Sequence, residues 1–139
     1  MKNQSMKRSS RIASLGVFLA LAMILSYVET LIPINFGVPG MKLGLANMVT
    51  VILMYIFSPA QAFLISMLRI LMSGFLFGNA MSLIYSYAGG ILSFVIMYLC
   101  FRSKKVKMIP LSVIGAVSHN AGQLIAAAIL VTNYNIVFY

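Results

Sequence analysis

One arginine in the middle of a long apolar stretch limits the folds open to this chain more than any other residue. The stretch runs from Ala60 to Phe77, and Arg69 is its only charged residue. Placing a guanidinium at bilayer depth costs about 2.5–3.5 kcal/mol on insertion scales, so such a side chain usually faces other helices or a water-filled cavity. The sequence contains a single acidic residue, Glu29. Glu29 is therefore the first candidate for an electrostatic partner of Arg69.

The composition is that of an integral membrane protein. Of the 139 residues, 62% are hydrophobic and 8% are charged, and the mean hydropathy is +1.03. The net charge of +9 does not indicate a nucleic-acid-binding protein, because the basic residues lie between apolar stretches and do not cluster on one face. Cys100 is the only cysteine, which excludes an internal disulfide framework and a cysteine-based metal site.

The alternation of apolar and polar segments predicts an all-α bundle of transmembrane helices in a single domain, residues 1–139. The first apolar segment is too long for the roughly 7–15-residue core of a signal peptide, so we expect it to be a retained helix. The final residues resemble the start of another helix, which predicts that the bundle of five visible helices is incomplete at Tyr139. Membrane spans are predicted at about residues 12–32, 43–57, 60–77, 80–101 and 111–131, after a basic cytoplasmic tail at residues 1–11.

The distribution of lysine and arginine predicts the orientation in the membrane. Four basic residues precede the first span and four lie between residues 102 and 107, whereas Lys42 is alone on the opposite side. Because cytoplasmic loops carry the excess of positive charge, the N-terminus is predicted to be in the cytoplasm. The Pro- and Gly-rich segment from Pro33 to Lys42 then lies outside, either as a lid over a binding site or as a plain connector.

Several polar residues are predicted to converge near the outer side of the bundle. One interpretation is that they form a substrate-binding site. The alternative is a structural role, in which Glu29 and Arg69 form an ion pair and the neutral side chains form hydrogen bonds between helices. His119, Asn120 and Gln123 share one side of the last predicted span. The full set of substrate-binding candidates is Glu29, Lys42, Asn47, Arg69, His119, Asn120 and Gln123.

The sequence argues against an enzyme. Magnesium-dependent diphosphate chemistry needs several carboxylates to hold the metal, and this chain has one acidic residue. It contains no phosphate-binding glycine loop, no H-E-x-x-H motif and no G-x-S-x-G motif. One histidine and one cysteine cannot build a zinc site. We therefore predict no catalytic residues, no metal and no cofactor.

Four stretches carry a resemblance to a known family: GMKLGLANMVTV from Gly40 to Val51, the Arg69 stretch, YAGGILSFVIM from Tyr87 to Met97, and GAVSHNAGQL from Gly115 to Leu124. The chain resembles the bacterial Gx transporter family, also catalogued as heptaprenyl diphosphate synthase component I. This family is similar to the substrate-binding S components of energy-coupling-factor transporters. The resemblance implies a six-helix fold with a small-molecule site in its outer half, and an energy source in partner transmembrane and ATPase subunits. It also implies that small residues of the first helix, such as Ala13, Gly16 and Ala20, contact the coupling partner.

Three functions follow from the residues and the resemblance. The first is capture of a small molecule from outside the cell by a transporter subunit. The second is a non-catalytic membrane component of heptaprenyl diphosphate or isoprenoid-quinone synthesis. Such a component would associate with a soluble prenyl synthase and present a lipid substrate to it at the membrane. The third is a purely structural membrane subunit.

Overall fold

The computed structural model is an all-helical bundle. It describes the backbone of residues 2–32 and 43–137 and the side chains of residues 7–32 and 43–130, and this part of the chain contains no β-strand. The predicted segment from Pro33 to Lys42 lies outside the described residues. The helices are α1 (Lys2–Leu31), α2 (Leu45–Ile56), α3 (Pro59–Phe77), α4 (Ala80–Arg102) and α5 (Met108–Val137).

Four of these helices are long and apolar enough to cross a membrane, namely α1, α3, α4 and α5. Helix α2 has 12 residues, and at ~1.5 Å per residue it extends about 18 Å, well short of a hydrocarbon core of about 30 Å. The prediction of an all-α, multi-pass membrane protein is confirmed. Two helices extend beyond their predicted spans, because α1 begins within the basic segment at Lys2 and α5 continues to Val137.

Local sequence signals set the ends of α3 and α4. The Ser58 hydroxyl accepts a hydrogen bond from the Gln61 backbone N–H at 3.3 Å, and Pro59 occupies the first turn of α3. The Asn79 side chain accepts one from the Ser82 backbone N–H at 2.8 Å at the start of α4. Each cap satisfies a backbone donor that the helix itself cannot pair, so the turns between α2, α3 and α4 are short and well defined.

The helices form a closed ring in the order α1, α2, α5, α4, α3, and α2 also contacts α3 across the ring. Helices α4 and α5 approach each other closely where Gly89 and Gly122 face one another: a Cβ on Gly122 would lie 2.8 Å from the Gly89 Cα. The Ser93 hydroxyl also donates to the Gly115 carbonyl across this contact at 2.7 Å. Small residues therefore allow the two backbones to touch, as is common between membrane helices.

One end of the bundle, which we call the basic end, carries Arg11 of α1 and the four basic residues between positions 102 and 107. Arg11 of α1 donates to the Gln61 side chain at 2.8 Å, and the Tyr55 hydroxyl of α2 donates to the Val106 carbonyl at 3.4 Å. These contacts bring the start of α1, the end of α2, the start of α3 and the α4–α5 connection together. Aromatic rings pack against the adjoining core, including the edge-to-face pair of Phe18 and Phe57, whose centroids lie 5.8 Å apart.

Candidate substrate-binding site

Arg69 lies inside the bundle, as the sequence predicts, but its hydrogen-bond capacity is largely unused. Its side chain is 3% exposed, and its Nη1 donates to the Ser26 hydroxyl of α1 at 3.3 Å. Its Nε and Nη2 atoms are buried and have no hydrogen-bond partner among the residues that the structure describes. Ser73, one turn further along α3, donates its hydroxyl hydrogen bond to the Arg69 backbone carbonyl and not to the guanidinium. Arg69 therefore has buried N–H groups that can donate hydrogen bonds to an acceptor on a ligand.

Glu29 contacts α2, not the guanidinium. Its Oε1 accepts a hydrogen bond from the Leu45 backbone N–H at 2.5 Å, and its Oε2 is buried without a hydrogen-bond partner in the described part of the chain. A carboxylate at the N-terminus of a helix is favourable because the first backbone N–H groups are unpaired and the helix dipole is positive there. The Glu29 side chain thus takes the place of a conventional cap for α2.

The direct Glu29–Arg69 contact that the sequence allows is not formed. Arg69 hydrogen-bonds Ser26 instead, and neither charged group donates to or accepts from the other. The two opposite charges therefore make separate contacts within the described part of the chain, and each keeps hydrogen-bonding capacity of its own.

Gln123 and His119 of α5 are also buried. Gln123 is fully buried and its Nε2 donates to the Ser86 hydroxyl of α4 at 3.2 Å, while no described residue donates a hydrogen bond to its Oε1. His119 is 5% exposed, and its backbone carbonyl lies against Gly89. Asn120, which the sequence places on the same side, is only half-buried. Two of the three α5 candidates thus face the interior.

The start of α2 brings Asn47 into the interior. Asn47 is 3% exposed, and its backbone N–H donates to the Gly44 carbonyl at 2.9 Å. Gly44 has a left-handed backbone with φ of 87°, and a Cβ there would lie 2.2 Å from the Ala116 Cβ of α5. Only glycine fits both the conformation and the contact. Lys42, the remaining candidate, lies outside the described residues.

Helix α4 fixes Arg69 and His119 at a common level. A Cβ on Gly90 would meet the Ile70 side chain at 2.3 Å, and one on Gly89 would meet the His119 carbonyl at 2.4 Å. Because Arg69 precedes Ile70 in α3, the backbones of Arg69 and His119 lie at a similar height along α4. We call the buried polar residues near this height the polar layer. No group of three His, Cys, Asp or Glu side chains that would hold a metal occurs among the described residues.

Three small residues of α1 do not pack against the other described helices. Ala13, Gly16 and Ala20 are all exposed, and a Cβ added to Gly16 would meet nothing within 4 Å. This face therefore packs against no described part of the bundle. Whether a partner helix occupies it stays a prediction.

Two features of the site are not assigned from the sequence. Ser26 shares a helical face with Glu29, which is visible from the spacing, but periodicity does not say that its hydroxyl receives Arg69. Glu29 contacts the backbone N–H of Leu45, and a backbone donor of this kind leaves no recognisable pattern in the sequence.

The comparison with protein families gives a match over most of the chain. The sequence model for heptaprenyl diphosphate synthase component I matches residues 18–139. The chain belongs to the heptaprenyl diphosphate synthase component I family. This agrees with the resemblance found in the four sequence stretches. The family match spans all of α2, α3 and α4 together with the polar residues described above. Searches of curated proteins and of solved structures gave no match.

Proposed function

We propose that this protein is the substrate-binding membrane subunit of a transporter, and that its ligand binds in the polar layer around Arg69 and Glu29. The observation that carries the proposal is the buried guanidinium of Arg69 with two unpaired donor atoms. Leaving a buried polar group unpaired costs about 1–3 kcal/mol, and more when the group is charged. A ligand that supplies the missing acceptor recovers this free energy on binding.

Buried acceptor atoms of other side chains are also left without a partner among the described residues. Glu29 Oε2 is buried without a partner, and so is Gln123 Oε1. A ligand suited to the site therefore carries an anionic or carbonyl oxygen for Arg69 and an N–H or O–H group for an unpaired oxygen. A purely apolar molecule would leave all of these atoms unsatisfied.

The resemblance to S components of energy-coupling-factor transporters supports capture from the outer side of the membrane. The distribution of lysine and arginine favours an orientation with the basic end in the cytoplasm and the Glu29 end of α1 outside. Energy would come from partner transmembrane and ATPase subunits, since the chain has no nucleotide-binding motif. The exposed small residues of α1 supply a surface on which such a partner helix can pack closely.

The test is native mass spectrometry of the protein gently extracted from its own membrane, comparing wild type with Arg69→Gln. Arg8→Gln is the matched control, because it makes the same substitution at an exposed arginine. We expect a small molecule to accompany the wild type and the control and to be lost from a folded, monodisperse Arg69→Gln variant. Retention of the same molecule by Arg69→Gln would remove Arg69 from the site, and a wild type without a ligand would count against the function.

A second candidate function is favoured by the family name, which describes a component of heptaprenyl diphosphate synthase. The chain would then be a non-catalytic membrane partner of a soluble prenyl synthase, and its single acidic residue argues that the metal-binding carboxylates belong to that partner. Co-purification with a prenyl synthase, together with a rise in its activity when the membrane protein is added, would favour this role over transport.

A further inference from the structure

A cavity lies at the basic end, away from the polar layer of Arg69. It has a volume of about 480 Å³ and is formed where α2, α3 and α4 meet the α4–α5 connection. Its lining residues are Tyr55, Pro59, Tyr98, Phe101, Arg102 and Lys104.

The walls of this cavity are apolar and held in place. The rings of Tyr55 and Phe101 pack edge to face with their centroids 4.9 Å apart, and the Tyr55 hydroxyl donates to the Val106 carbonyl. Tyr98 stacks on Phe94 at 6.4 Å. Pro59 adds a ring without a backbone N–H. The interior therefore suits hydrocarbon better than a free inorganic ion.

The rim of the cavity is cationic. Arg102 is in the last turn of α4, and Lys104 follows in a left-handed conformation with φ of 57°, its backbone N–H donating to the Phe101 carbonyl at 3.1 Å. Both side chains are exposed. The only acidic residue of the chain, Glu29, is committed to α2 at its N-terminal end. No carboxylate of this chain therefore neutralises the two cations.

We propose that this cavity binds an anionic phospholipid of the surrounding bilayer, with its phosphate between Arg102 and Lys104 and the first carbons of its chains against Tyr55, Tyr98 and Phe101. Charge complementarity selects an anionic headgroup, and the apolar walls select a molecule with hydrocarbon next to that charge. Basic pockets between membrane helices bind anionic lipid headgroups in this way. The inference does not depend on the substrate site proposed above.

The experiment uses the full chain in nanodiscs made from equal amounts of phosphatidylcholine and phosphatidylglycerol, followed by native mass spectrometry of the released protein. The test variant is Arg102→Gln with Lys104→Gln. The matched control is Lys105→Gln with Lys107→Gln, which removes the same charge from the same connection at residues that do not line the cavity. All four side chains are exposed, so both variants should fold.

We expect wild type and control to retain phosphatidylglycerol in preference to phosphatidylcholine. The test variant should bind phosphatidylglycerol roughly 30-fold more weakly, because it loses the binding free energy that two basic residues near a lipid surface usually contribute. Equal weakening in both double variants would mean general attraction to a charged surface and would overturn the site. Displacement of the lipid by inorganic phosphate alone would overturn the lipid assignment, since the apolar walls would then contribute nothing. Binding of farnesyl diphosphate without retention of phosphatidylglycerol would overturn it in favour of a prenyl ligand.

Discussion

The contact between α4 and α5 makes Gly89→Ala the sharpest test of the packing that holds the polar layer together. A Cβ on Gly89 would lie 2.4 Å from the His119 backbone oxygen and 2.8 Å from the Gln123 Cγ. The first of these neighbours is main chain and cannot rotate away. The added methyl group therefore forces the two helices apart at the level of the site.

The magnitude follows from two opposing effects. Overpacking a tight interior contact costs about 1–3 kcal/mol, whereas replacing glycine by alanine within a helix gains up to about 1 kcal/mol. Gly16→Ala is the matched control, because a Cβ there meets nothing within 4 Å and keeps only the gain. The difference between the two variants thus isolates the steric cost of about 1–3 kcal/mol, which corresponds to roughly 4–12 °C in melting temperature at about 4 °C per kcal/mol.

Cys100 provides the assay. It is the only cysteine and is half-buried near the end of α4. A thiol-reactive fluorogenic dye added to the detergent-solubilised protein during a temperature ramp therefore reports unfolding at a single site. We expect Gly89→Ala to melt well below Gly16→Ala. Equal melting temperatures would mean that α4 and α5 do not approach each other as closely as the structure has them.

Three further changes test how α2 and α3 are positioned. Gly44→Ala should destabilise the fold by at least about 1–3 kcal/mol, since it combines a left-handed backbone with overlap on Ala116; the same thermal assay measures it. Glu29→Ala removes a charged acceptor from the first backbone N–H of α2 and should cost about 1.5–3 kcal/mol, whereas Glu29→Gln keeps an acceptor and should lose less. Ser58→Ala deletes the cap on Gln61 and should cost about 1 kcal/mol in the free energy of unfolding, and no measurable loss would show the cap to be replaced by water.

The number of helices and several of their ends could be predicted because the signals are local. Ser58 followed by Pro59 marks the start of α3, and Asn79 marks the start of α4, since a capping side chain needs only the next few residues to act. The burial of Arg69 was also predictable, because a charge in an apolar span has few favourable positions.

The partners of the buried charges could not be predicted in the same way. Opposite charge favoured Glu29 for Arg69, but Ser26 receives the guanidinium and a backbone N–H receives the carboxylate. A main-chain donor looks the same at every residue in the sequence, so nothing marks Leu45 as the partner. The close contact of Gly44 with Ala116 likewise depends on where α2 ends up against α5, which helical periodicity does not determine.

The separate contacts of the two charges decide how variants of the site should be interpreted. Glu29 holds the start of α2 through one oxygen and has a second oxygen without a partner, so its replacement disturbs both the fold and any bound ligand. Arg69 gives one donor to Ser26 and keeps two atoms unpaired. Its replacement by glutamine removes unsatisfied buried donors as well as a ligand contact, and should lower stability far less than it lowers binding. A loss of ligand in Arg69→Gln is therefore specific to the site if the variant melts at the temperature of the ligand-free wild type, whereas the same loss in Glu29→Ala is not.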